Sequence, residues 1–384
     1  MIGKKNIERT FKGIIGLAIL FLSHSPIFAQ EEETSPIPTE PSTVITSSPD
    51  LILSQHWAMP TLLNPAATGE IDYIRIRGGA RLERLGIYHS PKYFLGAVDA
   101  PFKLMGKRIG AGIIVNSQNY DLYRNIQVSA QGSYKLQFKK STLSIGIQLG
   151  YYHSKYKGSE FIINNTGNPG GLEPGTGGNE NLTKADLDGD IEGDEGPGSE
   201  EIPDDPYEEM PTMDVAGGAL DVAVGVRFDH PWFHVGLSAL HLTNPRVKLS
   251  TEGESSSDSR YIESKMPISL YFDAGGNIPI HNSLFTLQPS VIVGSDFSNF
   301  ATVIEMRATY NQLVTFGANY RWNQAVGVLA GISIKNFFLG YSWEYDYRPI
   351  AKKSTGNHEI VLGYQLKLDM GGKNLFRHRS IRLM

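Results

Sequence analysis

The sequence predicts an all-β fold: a transmembrane antiparallel up-and-down β-barrel of about fourteen strands, with a long acidic extracellular loop. Three observations lead there. Long stretches alternate apolar and polar residues, the period that sends successive side chains to opposite faces of a strand. The connections between these stretches sort by parity, short after even strands and longest after odd ones. No stretch approaches the roughly 18 continuous apolar residues of a membrane helix.

The alternation is clearest over Tyr123–Tyr152. Ile126, Val128, Ala130, Tyr134, Leu136 and Phe138 alternate with Asn125, Gln127, Ser129, Ser133, Lys135 and Gln137. After the turn Lys139-Lys140-Ser141 the pattern resumes with Leu143, Ile145, Ile147, Leu149 and Tyr151. Each run exceeds the usual length of a soluble strand, and about ten tilted residues cross a bilayer. The apolar set is therefore assigned to lipid and the polar set to a lumen.

In chain order, residues 1–29 read as a signal peptide. Lys4, Lys5, Arg9 and Lys12 precede the apolar run Ile14–Leu22, and cleavage is expected between Ala29 and Gln30. Residues 30–54, rich in Glu, Pro, Ser and Thr, are expected to be a disordered periplasmic lead-in. Residues 55–70 have no strand period and contain the turn formers Asn64-Pro65 and Gly69, so they are expected at the rim or in the lumen. The barrel is assigned to 71–368, with strands at 71–79, 92–101, 107–116, 123–138, 141–153, 217–229, 231–240, 266–276, 283–295, 301–311, 312–322, 324–334, 336–347 and 357–368. Pro289 interrupts the ninth. Residues 369–384 form a basic tail expected in the periplasm.

Composition agrees. Gly is frequent (41), Tyr and Phe number 18 and 17, and Cys is absent. Barrels place Tyr and Phe at the membrane interfaces and Gly at bends. Absence of Cys excludes disulfides, thiol catalysis, Cys-ligated metals and a lipoprotein anchor. The location expected is the outer membrane of a Gram-negative bacterium, in contact with its lipid, and no nucleic-acid partner is expected.

Residues 157–213 interrupt the barrel pattern as an acidic extracellular insertion. Asp186–Glu209 holds twelve acidic residues and no Lys or Arg, so the rest of a chain whose formal charge is −5 is net positive. Asp186, Asp188, Asp190, Glu192 and Asp194 resemble a Ca²⁺ loop. Counting Asp188 as the first position puts Gly193 at the sixth, but Ser199 falls where a bidentate Glu belongs. A solvated acidic loop is the simpler reading, and no other cofactor is expected.

Within the strands, Asp221, Arg227, Glu305, Arg307, Arg321, Glu344 and Glu359 share the polar face. A charge facing lipid near mid-membrane costs about 2–4 kcal/mol, so these seven are assigned to the lumen as ion pairs, pore lining or a docking surface. Chemistry is otherwise scarce. His230 and His234 are four apart but sit around Pro231 on a turn and strand, not on a helix face. Ser90 beside His89 is the nearest approach to a hydrolase pair, a weak one. The chain is read as a non-enzyme; a passive diffusion channel is the main rival and a lipid hydrolase a distant one.

The segment Gln55–Gly69, with Leu62-Leu63-Asn64-Pro65-Ala66 at its centre, resembles the N-terminal signature of the PorP/SprF family. Leu237–Pro245, Gly317–Arg321, Leu339–Ser342 and Gly356–Tyr364 are similar to later family segments, so the resemblance spans about 55–368. It implies an outer-membrane protein of type IX secretion and gliding motility in Bacteroidetes. Its implied partner is a type IX-secreted surface protein or the C-terminal domain of one. Periplasmic type IX or cell-wall-binding components are implied as well. It makes Gln55, Trp57, Asn64, Pro65, Gly69, His241, Asn244 and Pro245 the candidates for contact with a partner or the rim.

Overall fold

The computed structural model describes residues 43–46, 51–158, 214–249 and 262–368. Fourteen strands form one closed antiparallel ring. They are β1 (Tyr73–Leu82), β2 (Lys92–Leu104), β3 (Lys107–Tyr120), β4 (Tyr123–Gln137), β5 (Thr142–Lys157), β6 (Asp214–His230), β7 (Phe233–Leu240), β8 (Ser269–Gly276), β9 (Phe285–Ser295), β10 (Phe300–Tyr310), β11 (Val314–Arg321), β12 (Ala325–Ile334), β13 (Phe337–Asp346) and β14 (Asn357–Lys367). Each pairs with its sequence neighbours, and β14 closes on β1 with Lys367 opposite Tyr73. Every barrel strand expected from the sequence is present. Several run further than their alternation suggested; β1 lies at 73–82 rather than 71–79.

Two features decide the wall. Residues of one parity are exposed and apolar, such as Ile145, Ile147 and Leu149, while Ser144 and Gln148 of the other parity are buried. Exposed aromatics collect at both ends: Phe102, Phe138, Trp232, Tyr310 and Phe337 at one, Phe300, Trp322, Tyr345 and Tyr347 at the other. Two aromatic girdles around an apolar band define a lipid-facing surface. Pro289 lies inside β9 opposite Met306. The β8 ladder ends at Gly275–Ser290, so the missing proline N–H falls where that pairing stops.

The connections 83–91, 158–213, 241–268 and 347–356 all leave the same end of the barrel, hereafter the long-loop end. The connection 241–268 is more than a loop. Arg246–Leu249 pairs antiparallel with Ile262–Lys265. Val247, Leu249 and Met266 pack on the inner faces of β4, β5 and β6 at Tyr123, Tyr152, Tyr156 and Val215. Burial of these tyrosines and aliphatics holds the hairpin over the lumen as a lid.

Within the stretch 30–54, expected to be a disordered lead-in, residues 43–46 and 51–54 take defined places in the structure. Thr43–Thr46 forms a strand parallel to Ile262–Lys265, at the long-loop end. Ile52, Leu53 and Ser54 are buried inside the barrel. The Pro/Ser-rich composition around them hid a β-branched run whose partner is the distant 262–265 strand and an apolar pair whose partners line the closed ring.

Candidate functional site

Residues 51–70 run down the lumen and fill it. They are built from three single turns of 3-10 helix, His56–Ala58, Pro60–Leu62 and Pro65–Ala67. Pro60 and Pro65 begin the last two, where a missing N–H costs nothing. Asn64 caps the last turn, its Oδ1 accepting from Ala66 N at 3.0 Å. Such short turns leave most backbone groups without a local partner, and the barrel wall supplies them.

At the long-loop end the plug meets a cluster of charge. Glu359 accepts from Ser54 N at 2.9 Å and Gln55 N at 2.8 Å. Ser54 Oγ donates to Glu344 at 2.6 Å. Arg81 bridges both acids, at 2.6 Å to Glu344 and 3.2 Å to Glu359. Arg321 donates to Ile52 O at 2.8 Å and lies 3.3 Å from Glu344. In the interior each carboxylate is compensated by a guanidinium and satisfied by plug donors, the condition for burying charge without a large penalty.

Along the middle, Trp57 packs edge-on to Phe338 at 5.2 Å between ring centres, and Arg307 lies over its face at 4.1 Å. Glu305 pairs with Arg307 at 2.8 Å. Leu53, Ala58 and Met59 pack against Leu95, Ile114 and Val361. Ile52 and Leu63 pack against Tyr271, Ile292 and Val303. Polar wall residues take the plug carbonyls: Gln131 binds Thr61 O at 2.8 Å, Ser238 binds Leu63 O and Ser133 binds Thr68 O.

Towards the other end, Asn64 Nδ2 reaches the carbonyls of Val226 and Leu237 at 3.2 and 3.4 Å. Arg75 binds Asp99 through two nitrogens and donates to Ala67 O at 3.0 Å. Asp99 in turn accepts from Gly69 N at 2.7 Å. Gly69 has φ +61 and sits so close to Gly110 and Ala100 that no side chain fits. Four inward wall glycines make the seat. A Cβ on Gly110, Gly146, Gly225 or Gly236 would collide with Thr68, the Pro65–Ala66 peptide, or Asn64.

The structure thus brings Gln55, Trp57, Asn64, Pro65 and Gly69 together as parts of one plug. His241 lies apart from it, buried and 2.9 Å from Asp221, which also accepts from Gln127. Asn244 donates its N–H to His241 O, and Pro245 O accepts from Met266, so this stretch is the base of the hairpin over the lumen. All seven charges assigned to the lumen are buried. They fall into separate groups: Glu344, Glu359 and Arg321 at the plug top, Glu305 and Arg307 beside Trp57, Asp221 under the lid, and Arg227 with Asp229 and Asp273. The Ca²⁺ candidates Asp186, Asp188, Asp190, Glu192 and Asp194 lie outside the described residues. His89 binds Asp121 at 2.7 Å, and His234 lies 3.5 Å from Asp273.

Arg75, Arg77, Arg81, Asp99 and Lys135 also hold the plug and were not singled out by sequence. The signal was present: Arg75, Arg77 and Arg81 share one parity of β1. Two cavities among the described residues flank the plug, one of about 60 Å³ near His56, Arg227 and Arg307, the other of about 30 Å³ between Leu63, Gln127 and His241.

A family described as type IX secretion system membrane protein PorP/SprF matches residues 45–189 and 192–364. No curated protein matches the chain. Among solved structures, the Pseudomonas putida toluene transporter TodX is 11% identical, with 82% of this chain and 94% of that chain covered, at a TM-score of 0.42. A Pseudomonas aeruginosa FadL homologue is 10% identical, with 80% and 93% covered, at 0.43.

Proposed function

Since this chain belongs to the PorP/SprF family of type IX secretion system membrane proteins, we propose that it binds, helps to export or anchors a cognate large cell-surface protein, and does so without enzymatic chemistry. The barrel sits in the outer membrane with its long loops outside and its short turns in the periplasm, the arrangement usual for such barrels. The basic tail from 369 is then available to periplasmic type IX or cell-wall-binding components.

The observation that carries this reading over a diffusion channel is the filled lumen. A passive pore keeps a continuous wet path. Here residues 51–70 occupy the lumen, bonded to β1, β2, β4, β7, β11, β13 and β14. A barrel so filled is a frame that presents loops on one face and turns on the other, which suits a binding and anchoring role.

The test is deletion of the gene, followed by measurement of surface display and release into the medium for every type IX-exported protein. The reading expects one large surface protein to be lost from the cell surface. Unchanged display and secretion of all of them would sink it. Mass spectrometry of proteins co-purified from mildly solubilised outer membrane identifies the partner.

A further inference from the structure

The short-turn end of the barrel carries exposed charge of one sign. Among the described residues, Lys103, Lys107, Lys139, Lys140, Lys335 and Lys367 are exposed there, and no Asp or Glu is. The acids near that end are drawn inward: Asp72 pairs with Arg108, and Asp229 is buried against Arg227. The long-loop end is mixed, with Asp121 and Asp214 exposed as well as Lys92, Arg124 and Lys353. Residues 369–384 follow β14 at the short-turn end and bear the same sign as the rim, with Lys373, Arg377, Arg379 and Arg382 against Asp369. The other segments outside the described residues adjoin the chain at the long-loop end.

The lysines are not spread around the rim. They sit at the β12–β13, β2–β3 and β4–β5 turns and at the end of β14, successive positions on one arc that runs from β12 through the β14–β1 closure to β5. The β6–β7, β8–β9 and β10–β11 turns on the other arc contain no lysine. Each lysine of the arc has an exposed apolar neighbour. Leu104 is 59% and Met105 94% exposed between Lys103 and Lys107, and Phe138, Ile334 and Leu366 directly precede Lys139, Lys335 and Lys367. Phe102, Phe138 and Phe337 of the aromatic girdle lie on the same arc. At the edge of a bilayer such apolar groups reach the acyl region while ammonium groups stay at the level of the head groups.

We propose that this lysine arc binds the phosphate groups of anionic phospholipids in the leaflet beside the short turns, and so gathers them along one side of the barrel. With the short turns in the periplasm, as read above, that leaflet is the periplasmic one; the choice of lipid does not depend on the orientation. Place and charge name the occupant. The arc borders lipid whatever else the barrel binds, because it continues the apolar wall and its aromatic girdle. Clustered lysines at a membrane surface attract head groups of net negative charge. A zwitterionic head group carries its own cation beside the phosphate and gains little. An acidic protein would gain from the lysines but would leave Leu104 and Met105 without a use.

The full chain is reconstituted in vesicles of equal parts phosphatidylcholine and phosphatidylglycerol and extracted with mild detergent at low salt. The lipids that stay bound are then counted by mass spectrometry. One lysine near an anionic surface is worth about a fivefold preference, so bound phosphatidylglycerol should exceed phosphatidylcholine by about fivefold or more. Extraction at about 0.5 M salt should remove most of that excess. Lys107→Gln, Lys139→Gln, Lys140→Gln and Lys335→Gln combined should also remove most of it, with the urea midpoint of the barrel kept. Lys92→Gln, Arg124→Gln, Lys352→Gln and Lys353→Gln combined make the same change in net charge at the long-loop end and should keep the excess. No excess in the parent overturns the proposal. Equal loss in the two variants overturns the arc, since net charge then explains the preference. An unchanged ratio in the short-turn variant overturns the choice of lipid, and if that variant instead loses a co-purified periplasmic protein, the arc is a protein surface.

Discussion

Arg81 Nη2 and Glu344 Oε2 lie 2.6 Å apart with both side chains only 1% exposed, and the same guanidinium reaches Ser54 on the plug. This contact ties β1, β13 and the threaded segment together. Breaking a buried pair by removing one partner costs about 3–5 kcal/mol, because the remaining charge stays buried. Arg81→Ala should therefore lower the unfolding midpoint of the purified barrel sharply, leaving Glu344 and Glu359 without their shared cation. Arg84→Ala, a turn residue beside it, should change the midpoint little in the same urea titration.

The glycine seat makes a steric prediction. Gly225→Val should push Asn64 out of register and loosen the plug, raising hydrogen exchange at the Ala66, Ala67 and Thr68 amides. Gly96→Ala is the control, since nothing lies within 4 Å of the added carbon; it should stay within about 0.5 kcal/mol of the parent. Equal exchange in the two variants would contradict the seat.

Asn64→Ala removes both a cap and the bonds to Val226 and Leu237. Loss of the cap costs about 1 kcal/mol, and the lost hydrogen bonds to the two wall carbonyls add about 1 kcal/mol each at most. The expected signature is selective: proteolysis within 60–69 should speed up while the strands remain protected.

The lipid face is tested at β5. Leu149 is 60% exposed at mid-strand, so Leu149→Arg should destabilise the barrel in vesicles by about 2–4 kcal/mol. Ser129→Arg, pointing into the lumen beside it, should act differently, by displacing the plug rather than by exposing charge to lipid. A neutral Leu149→Arg would contradict the assigned faces.

How much of this was legible in sequence depends on periodicity. β4, β5, β13 and β14 declare themselves because lipid and lumen impose opposite chemistries on alternate residues. β1 was misplaced by two to three residues because Gly78 and Gly79 blur its parity. The plug was harder to read. Single 3-10 turns have no repeat, and the partners of Ser54, Asn64 and Gly69 lie up to 305 residues away in sequence. Gly110, Gly146, Gly225 and Gly236 look like ordinary barrel glycines until the segment they accommodate is in place. Thr43–Thr46 was lost in a Pro- and Ser-rich stretch because its pairing partner belongs to a distant lid.

A barrel filled by its own residues 51–70 and serving as a binding frame should not conduct as a pore does. Conductance of the purified full chain in planar lipid bilayers tests it most directly. The unaltered chain should leave the membrane quiet, with steady current appearing only in variants such as Gly225→Val that unseat the plug. Stable, ohmic channels of porin size from the unaltered chain would contradict it.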